Sequence, residues 1–190
     1  MLLLVGLGNP GSNYTNTRHN IGFKIIDAIN SHFKLSKQKP KFKGLLTTGN
    51  IDEKKIYAIK PLTFMNNSGT AIKELIDYFK IEAKDVFVFH DDMDIDFGKI
   101  KAKFGGSSAG HNGIESIDKF IGKDYSRVRI GIGHPKMKKK VNNHVLEDFK
   151  DDEEEKINDI TKNIVKQLST LIEKKIDLFS SKVNQDLNGI

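Results

Sequence analysis

The sequence predicts an α/β fold over residues 1–190: a single-domain three-layer sandwich with a central mixed β-sheet flanked by helices. Short apolar runs alternate along the chain with stretches in which apolar residues recur at helical spacing. A length of 190 residues is typical of one domain and suffices to bury a hydrophobic core. The sequence contains no internal repeat and no linker that would divide the chain.

The first half of the chain predicts three strands and two helices. Residues 2–7 form a continuous apolar run that ends in turn residues, which is typical of an interior strand. Residues 45–50 and 55–60 predict two further strands, joined by a turn at 52–54. The two helices are predicted from apolar residues at helical spacing: Ile25, Ile26, Ile29 and Phe33 in the first, and Ile72, Leu75, Ile76 and Phe79 in the second.

The second half predicts three more strands and two more helices. Strands are expected at residues 86–89, at 99–104, where lysine alternates with smaller or apolar residues, and at 128–132. A loop rich in glycine and serine, residues 105–110, leads into a short helix; we call it the Gly/Ser loop. The apolar residues of the helices are Ile114, Ile117 and Ile121 in the short one, and Ile157, Ile160, Ile164, Leu168 and Leu171 in a single long one. Residues 176–190 follow no pattern that predicts structure.

Composition narrows the class of protein. The 31 Lys and Arg residues outnumber the 25 Asp and Glu residues, and the resulting charge of +6 favours a polyanionic partner. The absence of cysteine excludes disulfides, thiolate nucleophiles and cysteine-ligated metal centres, and it is typical of a reducing compartment. The longest apolar runs are too short for a membrane span or a signal peptide. We therefore expect a cytoplasmic protein that does not engage a membrane.

Charge is concentrated in two segments. Residues 147–159 contain 8 acidic residues and 2 lysines and predict the solvated start of a helix. Residues 97–144 contain 11 basic and 3 acidic residues. We call their cationic side chains the basic stripe, which comprises Lys99, Lys101, Lys103, Arg127, Arg129 and the lysines between 136 and 140. Such a stripe can bind phosphates, but charge alone favours a merely soluble, lysine-rich face.

Three short motifs suggest chemistry that their context does not support. Residues 6–11 match the dinucleotide pattern G-x-G-x-x-G, but Pro10 delays the helix and no acidic residue ends a second strand. Residues 106–110 match the nucleophile elbow G-x-S-x-G around Ser108, although lysines alternate along the preceding strand. Residues 90–94 combine imidazole with carboxylates, as metal sites do, but neighbouring strand residues point to opposite faces.

Another group of polar residues favours acyl chemistry. They lie where predicted strands give way to loops: Asn9, His19, Asn20, Asn66, Asn67, Asp91 and Asn112. An imidazole can deprotonate water, a carboxylate can fix its tautomer, and carboxamides can bind the developing oxyanion. The residues alone therefore predict a hydrolase or transferase site beside the basic stripe.

The same segments resemble a known family. In order along the chain, residues 5–11, 14–22, 60–69, 90–94, 105–113 and 127–135 are similar to the motifs of bacterial peptidyl-tRNA hydrolases. The resemblance covers most of the chain and weakens after about Phe149. It implies a monomeric α/β enzyme without metal or cofactor. Such an enzyme cleaves the ester between a peptide and the terminal ribose of tRNA, and so recycles tRNA from stalled translation.

The resemblance also implies roles for individual residues. His19 matches the general base, Asp91 its supporting carboxylate, and Asn9 the residue that senses a blocked amino group. The residues implied to contact the peptide or the tRNA terminus are Tyr14, Phe64, Met65, Asn66, His111 and Asn112, and those implied to hold the tRNA 5′-phosphate are Lys103 and Arg129.

One residue departs from the pattern of the family, and two other functions would also account for parts of the sequence. Ala109 stands where the family usually has glycine, and a positive φ at that position would cost about 1 kcal/mol or more. A tRNA-binding module without catalysis would need the basic stripe but not His19 with Asp91. A serine esterase would use Ser108 and need no nucleic acid.

Overall fold

A computed structural model of the chain describes residues 1–135 and 141–188. Its strands are β1 (Leu2–Gly6), β2 (Lys39–Lys41), β3 (Gly44–Ile51), β4 (Lys54–Pro61), β5 (Val86–Asp92), β6 (Ile100–Phe104) and β7 (Ser126–Gly131). Its helices are α1 (Ile21–His32), α2 (Ser68–Phe79), α3 (Asn112–Ile121), α4 (Val141–Leu146), α5 (Asp151–Lys166), α6 (Leu168–Ile172) and α7 (Ile176–Asn188).

The strands form one mixed sheet in the order β2-β3-β4-β1-β5-β7-β6. Strand β1 runs parallel to β4 and β5, with Val5 opposite Ile59 and Val88, and β5 runs parallel to β7. Strands β3 and β6 are antiparallel to their neighbours. The carboxyl ends of four adjacent strands, β4, β1, β5 and β7, therefore meet at one edge of the sheet.

Helices cover both faces of the sheet and complete the predicted three layers. One apolar cluster packs the sheet against α1, α5, α6 and α7, and a second packs it against α2 and α3. Gly22 shows how closely the layers approach, because a Cβ there would collide with the backbone of Leu7 and of Phe89. This contact fixes the start of α1 against β1 and β5, just after His19.

The structure confirms the fold class and corrects several element bounds. Strand β5 extends through Asp92 instead of ending at Phe89, so Asp91 belongs to the strand. The predicted single helix near the end of the chain is broken at Gln167 into α5 and α6. Strand β2 and helices α4 and α7 were not predicted.

Helix α7 covers the outer edge of β6 with side chains. Asn184 accepts a hydrogen bond from the Ile100 N–H (3.0 Å) and donates one to the Ile100 carbonyl (2.9 Å). Ser180 accepts one from the Ala102 N–H (2.8 Å). Backbone groups that would otherwise be free at an edge strand are thus paired with the helix.

The acidic segment forms the start of α5, as expected, but it also makes long-range contacts. Glu153 binds the buried Arg18 at 2.7 Å, and Glu154 binds Lys24 at 2.7 Å. These contacts tie α5 to the segment that carries His19. The basic-stripe lysines between 136 and 140 lie outside the described residues. No described helix has both the length and the apolar character that a membrane span needs.

Candidate active site

His19 and Asp91 are in direct contact at the carboxyl edge of the sheet. His19 lies in the turn Arg18–Asn20 that precedes α1, and Asp91 lies near the end of β5. The His19 Nδ1 is 2.8 Å and 2.9 Å from the two carboxylate oxygens, and both residues are buried. A carboxylate can only accept, so the His19 Nδ1 carries the proton. The Nε2 lone pair is then free, and nothing in the described chain hydrogen-bonds to that atom.

His19 and Asp91 shift each other's pKa, and each shift favours the charged form of the group. Burial alone would raise the pKa of Asp91, but the imidazoles of His19 and His111 outweigh it and hold that pKa far below its usual range. Burial alone would lower the pKa of His19, but the charge and hydrogen bond of Asp91 outweigh it and raise that pKa above 6.5. Asp91 is therefore ionised, and it makes His19 a stronger base.

His111 is a second imidazole on the same carboxylate. Its Nδ1 accepts hydrogen bonds from the Gly113 and Ile114 N–H groups (3.1 and 3.3 Å) and so caps α3. Its Nε2 lies 3.0 Å from Asp91 Oδ1. Because Nδ1 accepts, the ring carries its proton on Nε2 and donates it to Asp91. The family resemblance groups His111 with substrate-binding residues and did not reveal this contact, although its position just before an amphipathic helix was a signal for a cap.

The hydrogen bonds of His111 favour proton chemistry over a metal centre. The donor atoms of His19, Asp91 and His111 lie within 4.8 Å of one another and are ligand types that transition metals accept. A metal on the His111 Nε2 would force its proton onto Nδ1, where two backbone N–H groups already point. The residues therefore do not fit a metal ion well.

Asn9 is held so that its amide donor remains available. Its backbone N–H donates to Asn20 Oδ1 (2.8 Å), and its carbonyl accepts from Asn20 Nδ2 (2.9 Å). Its side-chain oxygen accepts from the Met65 N–H at 2.8 Å, which assigns the orientation of the amide. No described residue accepts from the Asn9 Nδ2, so this N–H pair is free to bind substrate.

Two connected cavities surround His19. One is lined by the end of β5 and by residues 108–112. The other is lined by Asn9, Phe64, Met65, Asn66 and Asn112. Val145 and Leu146 of α4 also line it, and the sequence analysis did not identify them.

Phe64 and Met65 both line the second cavity, but they differ in their exposure to solvent. Phe64 has φ 55°, a strained conformation for a large side chain, and its ring is exposed while Met65 is buried. Tyr14 contacts Phe64 edge-to-face, with ring centroids 6.3 Å apart. Tyr14 itself does not line the two cavities around His19.

Lys103 and Arg129 lie on the same face of the sheet, next to the end of β5. Lys101 pairs with Arg129 and Lys103 with Arg127 across the antiparallel β6–β7 ladder. Arg129 binds Asp92 at 2.7 Å. Burial, followed by the charges of Arg129 and Arg127, lowers the pKa of Lys103. In the described ranges the Lys103 ammonium has no carboxylate partner, so this surface can attract an anion.

Arg127 does not belong to the exposed stripe, contrary to the sequence-based interpretation. Its side chain is 1% exposed, and it binds Asp118 at 2.7 Å and the Ser107 carbonyl at 2.8 Å. Tyr125 donates to the same Asp118 oxygen at 2.7 Å. Arg127 is a buried anchor for the Gly/Ser loop.

The Gly/Ser loop does not provide a serine nucleophile with a base. The Ser108 hydroxyl accepts from the Gly110 N–H at 3.4 Å, and no histidine among the described residues bonds to it. Ala109 has φ 48°, so alanine occupies a left-handed conformation that favours glycine.

The dinucleotide pattern at residues 6–11 is not followed directly by a helix, because α1 begins only at Ile21. The structure therefore does not support a dinucleotide site there.

Comparisons with known proteins show which family the chain resembles. The family model for peptidyl-tRNA hydrolase matches residues 3–189. A peptidyl-tRNA hydrolase of Pelagibacter ubique is 72% identical over 184 residues, covering 97% of this chain and 99% of that protein. One from Ehrlichia ruminantium is 47% identical over 181 residues, covering 95% and 93%. The crystal structure of the Acinetobacter baumannii peptidyl-tRNA hydrolase matches with a TM-score of 0.90 at 34% identity, covering 97% of this chain and 94% of that one.

Proposed function

Because the chain belongs to the peptidyl-tRNA hydrolase family, we propose that it uses His19 as a general base to hydrolyse the ester of peptidyl-tRNA. The bond cleaved joins the peptide, or an N-blocked amino acid, to the 3′-terminal ribose of tRNA. The observation that carries the proposal is the His19–Asp91 contact, which leaves the His19 Nε2 free beside the cleft.

The reaction follows from the protonation states of the pair. The His19 Nε2 takes a proton from water, and the oxygen of that water attacks the ester carbonyl. Asp91 stabilises the imidazolium that forms, since its charge lies 2.8 Å from Nδ1. When the tetrahedral intermediate collapses, the ribose oxygen leaves with the proton from Nε2. A positioned general base contributes about 10²–10⁴-fold to the rate.

Amide groups complete the site. The side chain of Asn66 or of Asn112, or a backbone N–H of the Gly/Ser loop, donates to the oxyanion in this proposal, and both asparagines line the cavity beside His19. One such donor stabilises the oxyanion by about 3 kcal/mol. The free Asn9 Nδ2 donates to the carbonyl that blocks the amino group. A free aminoacyl-tRNA lacks this carbonyl, so Asn9 discriminates against it.

The other predicted site residues bind the substrate or support Asp91. Lys103 and Arg129 hold the 5′-phosphate, and Tyr14, Phe64 and Met65 contact the tRNA terminus and the peptide. His111 acts through Asp91, whose orientation it fixes. The enzyme works as a monomer, without metal or cofactor, on tRNA released from stalled translation in the cytoplasm.

Release of the N-acetyl-amino acid from N-acetyl-aminoacyl-tRNA tests the proposal, with and without EDTA. We expect EDTA-resistant release by the wild type, a loss of about 10²–10⁴ in kcat for His19→Ala, and unchanged tRNA affinity. Ser108→Ala should remain close to the wild type.

The same assay identifies the rival functions. Loss of release in Ser108→Ala would indicate a serine esterase, and tRNA binding without release would indicate a binding module. A His19→Ala protein with weaker binding but normal turnover would also contradict the proposed role.

A further inference from the structure

A further cavity extends the cleft beyond Asn9. Its volume is about 410 Å³, and Asn9 lines both this cavity and the one that contains His19. Phe23 of α1, Leu45 of β3, and Lys60 and Leu62 at the end of β4 form its walls. We call it the distal cavity.

The strand order places the distal cavity on a defined side of the site. Along the sheet, β7 and β6 carry Arg129 and Lys103, β5 and β1 lead to Asp91 and Asn9, and β4 and β3 border the distal cavity. The two cations and the distal cavity therefore lie on opposite sides of the His19–Asp91 pair. If the tRNA 5′-phosphate binds at Lys103 and Arg129, the distal cavity lies on the side of His19 away from that phosphate.

The charged groups of the distal cavity are already paired. Lys60 binds Asp27 at 2.6 Å, and Lys24 binds Glu154 at 2.7 Å. Since each ammonium has a carboxylate partner, the described lining of the cavity has no unpaired lysine with which to select an acidic ligand.

The remaining lining combines polar residues of the segment 9–20 with the apolar side chains of Phe23, Leu45 and Leu62. Leu62 is 39% exposed, and the Phe23 ring lines the cavity beside it. Gly8 makes room for that ring, because a Cβ there would lie 2.8 Å from it. The distal cavity thus offers Phe23, Leu45 and Leu62 to an apolar group.

We propose that the distal cavity binds the peptide residues that precede the esterified residue, with a preference for apolar side chains. The proposal rests on the proposed function, because it takes peptidyl-tRNA as the substrate. The Asn9 Nδ2 meets the first peptide carbonyl at the boundary between the two cavities, and the next residues enter the distal cavity. Peptidyl-tRNAs with apolar residues there are then better substrates than those with glycine.

Three substrates with the same esterified residue test this subsite: N-acetyl-Phe-tRNA, N-acetyl-Leu-Leu-Phe-tRNA and N-acetyl-Gly-Gly-Phe-tRNA. We expect the wild type to show a kcat/KM about tenfold higher for the Leu-Leu substrate than for the Gly-Gly substrate. Leu62→Asp should lose about tenfold on the Leu-Leu substrate. It should change by less than about twofold on N-acetyl-Phe-tRNA, which does not reach the distal cavity.

Leu178→Asp is the matched control, because Leu178 is a similarly exposed leucine (45%) on α7. It should leave all three rates unchanged. Leu62→Ala tests the same wall with a smaller change if the thermal midpoint of Leu62→Asp falls. A wild type without preference, or a Leu62 variant that loses equally on every substrate, would overturn the subsite while leaving the proposed function intact. A wild type that cleaves none of the three would overturn both.

Discussion

Two carboxylates on either side of the Gly/Ser loop make similar contacts with opposite consequences. Asp91 accepts from two imidazoles, those of His19 and His111. Asp118 accepts from the Tyr125 hydroxyl and the Arg127 guanidinium. Both are largely shielded from solvent, at 2% and 11% side-chain exposure. Each contact set also holds one side of the loop, because Arg127 binds the Ser107 carbonyl and His111 directly follows the last residue of the loop.

The partners decide what each region can do. An imidazole has a second nitrogen, and the one on His19 remains free toward the cleft. The Tyr125 hydroxyl and the Arg127 guanidinium both donate to Asp118, and neither residue lines a cavity around His19, so the Asp118 region holds its neighbours in place. A buried, doubly hydrogen-bonded carboxylate is thus not by itself a sign of catalysis. The sign is a titratable partner with an unused atom facing a cavity.

Removing the charge of Asp91 should produce the largest effect. Asp91→Asn loses the group that stabilises the imidazolium and holds its tautomer, so we expect kcat to fall by about 10²–10⁴. Steady-state release from N-acetyl-aminoacyl-tRNA measures this fall. Asp118→Asn is the matched control and should retain most of kcat. Equal losses in the two variants would mean that the regions do not differ as described.

The pH dependence of kcat/KM should also differ between variants of Asp91 and of Asp118. His19 must be neutral to accept a proton, so kcat/KM rises with pH through its pKa and levels off above it. Because Asp91 raises that pKa above 6.5, the rise lies above pH 6.5 in the wild type. Asp91→Asn should move it to lower pH, whereas Asp118→Asn should leave it in place. Rates measured between about pH 5 and 9 would show either outcome.

Arg127→Met should instead reduce stability. The substitution leaves Asp118 without its buried cation and frees the Ser107 carbonyl, and breaking such a pair costs about 3–5 kcal/mol. Urea denaturation measures this loss of unfolding free energy. We expect the position of the pH profile to be unchanged, because Arg127 does not touch His19 or Asp91. A variant with wild-type stability would contradict the anchoring role.

Lys103 should differ from Arg127, its cross-strand partner. Lys103→Ala and Arg129→Ala are expected to raise KM about tenfold each and to make its dependence on salt less steep, as loss of a phosphate contact does. In Arg127→Met the salt dependence should persist, since the Arg127 side chain is buried, with 1% of its surface exposed, and cannot reach the tRNA. Measuring KM at several salt concentrations checks this. If KM of Lys103→Ala depends on salt concentration as steeply as KM of the wild type, Lys103 does not contact the tRNA.

The smallest effect is expected at the Gly/Ser loop itself. Ala109→Gly relieves a positive φ that costs about 1 kcal/mol, but it also gives the unfolded chain more freedom. We therefore expect a gain of less than about 1 kcal/mol in unfolding free energy. A glycine variant less stable than the wild type would contradict this expectation, because it would show that relief of the positive φ does not outweigh the freedom gained by the unfolded chain.

The sequence predicted the buried strands and amphipathic helices well because their apolar periodicity is strong. Helix α7 was missed, although Ile176, Phe179, Val183 and Leu187 recur at helical spacing, because polar residues separate them. Strand β2 has only three residues, all exposed, and so has no apolar pattern. The break at Gln167 leaves the apolar spacing nearly intact and cannot be seen from periodicity.

For the site, local motifs identified the residue types but not their partners. His19 and Asp91 are 72 positions apart, and the family resemblance paired them. The contact of His111 with Asp91 depends on how α3 begins relative to β5, which only packing determines. The same limit explains Arg127, whose charge suggested a surface role. It shares a face of the sheet with Arg129, but it is buried because α3 and the Gly/Ser loop cover it, through Asp118 and the Ser107 carbonyl.

The attachment of α7 to β6 has a consequence for how the protein is made. Asn184 follows its partner Ile100 by 84 residues, so the outer border of the sheet remains open while the ribosome adds this stretch. Until α7 has been synthesised, the backbone groups of Ile100 and Ala102 lack their partners Asn184 and Ser180, and an uncovered strand edge can pair with another chain.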